Sequence, residues 1–116
     1  MLGIPASVKA FLAAQPCDLR KSFNGLYALA QNKLGENPRD GALFLFTNKR
    51  RNRLKILYFD GSGLWVLIKR LERGCFSWPR AQEADNGKIL LDRRSLSLLL
   101  DGVDLEKTRQ KNWFRG

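Results

Sequence analysis

The sequence predicts an α+β fold: an antiparallel β-meander, one helix from the N-terminal half packed on the sheet, and a second helix near the C-terminus. Three observations carry that prediction. Between Ala42 and Pro79 lie four runs rich in aromatic and branched side chains, Leu43–Phe46, Leu54–Phe59, Leu64–Leu71 and Cys75–Trp78. Each is too short for an ordinary helix, which makes strands the better reading. Turn-like breaks separate the runs, and on either side of this block the apolar residues recur at helical spacing instead.

The elements follow in order. Val8–Ala13 is apolar and short, readable as a strand or as a helical turn, and Pro16 ends it. Asp18 is the expected N-cap of the first helix, whose apolar stripe runs Leu19, Phe23, Leu26, Tyr27, Ala30 and Leu34. Gly35 stops it, with Lys33 in the last turn opposing the helix dipole. Gly25 inside the helix costs on the order of 1 kcal/mol relative to alanine, and close packing of helix on sheet is one reason to accept that cost. Asn37–Gly41 is a turn that delivers the chain into the sheet.

Within the strand block the three breaks differ in chemistry. Asp60-Gly61-Ser62-Gly63 supplies residues that tolerate positive φ in a tight hairpin. Glu72-Arg73-Gly74 reads as a three-residue hairpin loop with glycine at its left-handed position. Asn48-Lys49-Arg50-Arg51-Asn52-Arg53 has no glycine and four cations. Pairing Phe59 with Leu64 sets the register. Arg53, Lys55, Leu57 and Phe59 then share a face with Leu64, Val66, Ile68 and Arg70, and continuation across Glu72–Gly74 adds Phe76 and Trp78 to it. The opposite face holds Leu54, Ile56, Tyr58, Trp65, Leu67 and Lys69. Both faces are mostly apolar and both want cover. With only two helices to provide it, self-association as a homodimer, or a stable partner contact through Ile56, Tyr58, Trp65 and Leu67, is expected.

Pro79 ends the block and Arg80–Gly87 is a polar loop. Lys88–Leu91 adds a short strand, and Asp92 caps a second helix with the stripe Leu96, Leu99, Leu100 and Val103, terminated at Gly102. The chain therefore reads as a single α+β domain over residues 1–106 and a basic, flexible tail over 107–116 that carries Lys107, Arg109, Lys111 and Arg115.

Composition narrows the function classes. A chain of 116 residues with 44% hydrophobic and 28% charged residues is an ordinary globular one. Its charge is not ordinary: 21 Lys and Arg against 11 Asp and Glu leave +10, with a pI near 10.2. That balance favours polyanionic partners, nucleic acid first. Cys17 and Cys75 have no metal-ligand spacing and there is no histidine, so neither a structural metal nor a cofactor is expected. The two thiols fit a reducing cytoplasm. No apolar run approaches the roughly 18 residues of a membrane span and no signal-type segment opens the chain, which predicts a soluble, cytoplasmic protein with no membrane partner. An enzyme is not expected either: no carboxylates cluster to hold two metals, and Asp60 and Asp101 stand in glycine contexts where Asp serves turn chemistry.

Several motifs in combination point to one family. They are Asp18-Leu19-Arg20-Lys21-Ser22-Phe23-Asn24-Gly25-Leu26, Leu43-Phe44-Leu45-Phe46, Leu54 through Leu64, Lys69 through Pro79, and Leu99-Leu100-Asp101-Gly102-Val103-Asp104. Over roughly residues 4–105 the chain resembles the small TnpB-type accessory proteins of the insertion-sequence-sixty-six family of bacterial transposable elements. Cys17 and Ser22 stand where the family pattern has Thr and Gly, and the tail after Glu106 diverges. The resemblance implies a part in DNA transposition beside a separate, larger transposase that holds the catalytic residues.

Two readings of function compete. In the first, the chain is a non-catalytic accessory that binds DNA mainly through phosphates, using Lys49, Arg50, Arg51 and Arg53 joined by Lys55, Lys69, Arg70 and Arg73. Arg20 and Lys21 are candidate secondary contacts, against the plainer reading of a solvated helix face. In the second, the chain is an interaction module that holds the transposase, and its charge serves solubility. RNA binding by stacking on Tyr58, Trp65 and Trp78 is a weaker alternative, because aromatics at strand spacing are more often core.

Overall fold

The computed structural model describes residues 7–102. Among the described residues there are five strands and two helices: β1 (Ala10–Ala13), α1 (Phe23–Asn32), β2 (Leu43–Thr47), β3 (Arg53–Phe59), β4 (Leu64–Arg70), β5 (Lys88–Leu91) and α2 (Arg93–Asp101). Short 3-10 turns at Pro38–Asp40 and Ala81–Glu83 join them. The strands form one mixed sheet in the order β4-β3-β2-β1-β5. β2, β3 and β4 are the expected antiparallel meander. β1 runs parallel to β2 and antiparallel to β5. A parallel pair needs a crossover of a dozen residues or more, and the β1–β2 connection supplies it with α1, which is laid on one sheet face.

The register between β3 and β4 pairs Phe59 with Leu64, Leu57 with Val66, Lys55 with Ile68 and Arg53 with Arg70, as the hairpin chemistry of Asp60–Gly63 requires. Asp60 holds that turn. Its Oδ1 accepts from Ser62 N and Gly63 N at 2.8 and 2.9 Å and from the Ser62 hydroxyl, and its Oδ2 accepts from the Trp65 indole at 2.7 Å.

Two cores sandwich the sheet. Leu26, Ala30 and Leu34 of the α1 region pack on Phe44, Phe46 and Leu57, with Leu64 and Val66 at the margin. The other face carries Leu12, Leu43, Leu45, Leu54 and Ile56 under Leu99 of α2. α2 is capped by Asp92, whose Oδ1 accepts from Ser95 N at 2.7 Å. Gly102 at φ 74 ends it. Val103 of the expected stripe and the tail at 107–116 lie outside the described residues.

Three local expectations are corrected. First, Cys75–Trp78 is not a fourth strand, and Phe76 and Trp78 lie on the face opposite to the expected one. After β4 the chain leaves the sheet edge and crosses beneath it. Phe76 N donates to Arg51 O at 2.6 Å, and the Trp78 indole donates to Ala13 O at 2.9 Å, so the segment is tied to the β2–β3 turn and to the end of β1. Phe76, 1% exposed, and Trp78 join the core under α2. They give that face the cover that two helices alone do not provide. Ile56 is buried within the chain and Tyr58 and Leu67 are half-buried; Trp65 alone of the expected contact face is 46% exposed.

Second, the helix starts four residues later than Leu19. The Asp18 carboxylate bonds to Arg20 N at 2.9 Å and makes a local turn of Asp18–Lys21, an instance of a short polar side chain competing with helix. Third, Gly25 is not explained by the sheet. A Cβ there would come within 2.9 Å of Lys21 Cβ, so the space that glycine leaves is occupied by the stem of Lys21.

Candidate nucleic-acid interface

The basic turn between β2 and β3 is built by asparagine. Asn48 Oδ1 accepts from the backbone N–H groups of Asn52 and Arg53, both at 3.2 Å, and its Nδ2 donates to Asn52 Oδ1 at 2.8 Å. Arg51 N closes the turn on Asn48 O at 3.1 Å. Arg51 takes φ 58, a left-handed conformation that costs a non-glycine residue about 1 kcal/mol. The surrounding bonds hold it there. Arg51 O and Asn52 O accept from Phe76 N and Leu71 N, and Thr47 Oγ1 donates to Arg53 O at 2.8 Å. The turn is thus braced against the segment after β4 and does not project as a free two-stranded ribbon. Its backbone groups are spent on the protein, and its side chains face out: Lys49, Arg50 and Arg53 are exposed and Arg51 is half-buried.

Beside the turn, on the α1 face, the sheet extends the charge. Arg53 and Arg70 are cross-strand partners, as are Lys55 and Ile68. Lys55 Nζ donates to Lys21 O at 2.8 Å, which draws the Asp18–Lys21 turn against β3. Between them lies an open groove of about 500 Å³ lined by Asp18, Leu19, Arg20, Asn48, Arg53, Lys55 and Ile68. One carboxylate enters this groove, and it is matched. Arg20 grips Asp18 with Nε and a terminal nitrogen at 2.8 to 3.1 Å, and the side-chain and backbone bonds from Arg20 hold the Asp18 carboxyl down at about 2. Burial pushes the nearby Cys17 thiol up, which keeps it protonated rather than nucleophilic.

Of the residues singled out from the sequence, the structure gathers Lys49, Arg50, Arg51, Arg53, Lys55 and Arg70 around the turn and groove. Arg20 lines the groove too, while Lys21 accepts from Lys55 with its backbone carbonyl and lays its side chain on Gly25. Arg73 is exposed in the bend after β4. Lys69 is separated from the rest. It points to the opposite face, where its Nζ donates to Leu100 O at 2.6 Å and meets the negative end of α2. Among the described residues the carboxylate contacts of this set are Arg20 with Asp18 and a long 3.9 Å approach of Arg70 to Glu72. The aromatic residues weighed for base stacking are otherwise engaged: Trp78 is core, Tyr58 packs against it, and the Trp65 indole is bonded to Asp60.

Residue-type reasoning passed over Asn48, Asp18, Leu19 and Ile68 as parts of this surface. Asn48 and Asn52 flank the cations four residues apart, a signal for a side-chain-stapled turn. Nothing comparable marks Ile68, whose exposure depends on where α1 begins. Among the described residues no group of three or more His, Cys, Asp or Glu side chains lies together in a way that could hold a metal ion, and no helix is long and apolar enough to cross a membrane.

Residues 8–110 match the family model described as "IS66 Orf2 like protein". Two curated relatives from Sinorhizobium fredii (strain NBRC 101917 / NGR234) are similar over nearly their whole length. "Uncharacterized protein y4jC" is 35% identical over 111 residues, covering 96% of this chain and 92% of the relative. "Uncharacterized protein y4hO" is 36% identical over 113 residues, covering 97% and 95%. No solved structure matches the chain.

Proposed function

The chain belongs to the IS66 Orf2-like family, whose membership points to an accessory role in transposition, and from that premise we propose that it binds duplex DNA through phosphate contacts centred on the β2–β3 turn. One observation carries the reading. Lys49, Arg50, Arg51 and Arg53 are held on a rigid, stapled turn, and none lies within 4.0 Å of a carboxylate of the described residues. Cations used for solubility alone need no such scaffold.

The adjoining Lys55 and Arg70 widen the contact, and Arg73 extends it along the bend. Lys69 is assigned to the end of α2 instead. Contacts of this kind supply affinity and orientation rather than sequence readout. Of the carboxylates weighed for catalysis, Asp60 holds its hairpin and Asp101 is the last residue of α2; strand cleavage belongs in this scheme to the separate transposase. A second reading, in which the chain holds that transposase, draws support from Leu98, exposed on α2.

A salt series on element-end and unrelated duplexes tests the first reading. Each neutralised phosphate contributes about −0.9 to the slope of log K against log salt, so replacing Arg50, Arg51 and Arg53 with Ala flattens the slope by about 2 to 3 on both DNAs. An unchanged slope in the folded triple variant removes the turn from the site. Footprinting with and without the transposase separates the two readings.

A further inference from the structure

Ile68 is the most exposed large apolar side chain among the described residues, at 67%. Its neighbours on the same face of β4, Leu64 and Val66, pack against the α1 core. Ile68 is instead left open, lining the groove beside Leu19 and among Arg20, Arg53 and Lys55, with Arg70 two positions along the strand. It also stands on an edge strand, where a protein ordinarily places lysine or another charge to discourage pairing with other chains.

An apolar side chain ringed by cations has a specific use against a duplex. Cations engage the phosphates on both sides of the minor groove, and the apolar group enters between two base pairs, unstacks them and kinks the DNA toward the major groove. Lys55 is the cross-strand partner of Ile68 and Arg70 stands two positions along β4 on the same face; ordinary sheet spacing sets their backbones about 5 and 7 Å from that of Ile68, close enough for long cationic side chains to reach phosphates beside the apolar group. Asp18 does not oppose the approach, because Arg20 pairs with it.

We propose that Ile68 is a wedge that enters a base step from the minor groove of duplex DNA held by Arg53, Lys55 and Arg70, and that the protein thereby bends the DNA. This rests on the phosphate-binding reading above and adds a deformation to it. Duplexes that are easily unstacked, such as those with a mismatch, are then preferred sites because the step costs less to open.

Energy transfer between the ends of a short labelled duplex, intact or with one central mismatch, measures the bend. The parent protein draws the ends together by an amount that fits a kink on the order of 20 to 90° and binds the mismatched duplex more tightly. Ile68→Ala and Ile68→Thr, both at an exposed position, leave the duplex straight and lose the mismatch preference while the salt slope stays as in the parent; Ile68→Leu bends as the parent does. A parent that binds with a steep salt dependence but leaves DNA straight overturns the wedge and leaves phosphate binding standing. Equal bending by Ile68→Ala overturns it in the same way. A parent that binds no duplex at all overturns both.

Discussion

Replacing Asn48 with alanine is expected to destabilise the protein by about 1.5 to 2 kcal/mol. The Asn48 side chain makes three hydrogen bonds, two of them at 3.2 Å to backbone N–H groups and one at 2.8 Å to Asn52 Oδ1. A net contribution of about 0.5 kcal/mol for each long bond and about 1 kcal/mol for the short one gives roughly 2 kcal/mol. Water can reach the exposed Arg53 and replaces part of what is lost. With a urea m-value of about 1 to 3 kcal/mol per M for a domain of this size, the midpoint falls by roughly 1 M at unchanged m. Asn48→Asp keeps the two acceptor contacts and loses the donor, so its stability lies between alanine and the parent. It also sets a negative charge beside Arg53 in the groove. Its DNA affinity therefore drops below that of Asn48→Ala even though it is the better-folded variant. Urea titration and DNA binding of both proteins check this crossing of the two orders. An Asn48→Ala loss under about 0.5 kcal/mol, or the same rank order in stability and binding, refutes the view that this staple positions the cations.

The Asp60 carboxyl is held well below the usual carboxylate range, chiefly by the Trp65 indole and then by Ser62 and Gly63, and Asp18 is lowered by Arg20. A depressed folded-state value contributes stability above the unfolded value of about 3.9 and loses it as pH falls toward the folded value. The urea midpoint should therefore decline between about pH 4 and pH 2, and Asp60→Asn should show a shallower decline; an identical profile would show that the hairpin carboxylate is not linked to folding. Lys69→Ala should lower the unfolding midpoint by freeing the end of α2 while leaving the salt slope of DNA binding unchanged, since its Nζ bonds Leu100 O on the face away from the groove. A slope that flattens by about one unit would instead return Lys69 to the phosphate-binding set.

Much of this molecule is local chemistry and was legible in residue order. The β3–β4 register follows from Asp60–Gly63 and a period of two, the cap of α2 from Asp92, and the basic turn from its own composition, because each depends on residues within a few positions of one another. The family, too, was visible in short motifs, and residues 8–110 match it. What required the tertiary structure depends on contacts between distant segments. Cys75–Trp78 has the composition of a strand, yet its Phe76 and Trp78 are drawn beneath the sheet by Arg51 O and Ala13 O, 25 and 65 residues away, and by the uncovered apolar face of β2 and β3. β1 could be strand or helical turn until pairing with β2 and β5 decided it. Strand alternation assigned Lys69 and Arg70 to opposite faces, but only the position of α2 gave Lys69 a partner. Alternation likewise put Ile68 on the apolar face beside Leu57 and Val66. That face stays covered only as far as α1 reaches, and Lys55 holds the Asp18–Lys21 turn where the helix has not yet begun, leaving Ile68 in the open groove among the arginines.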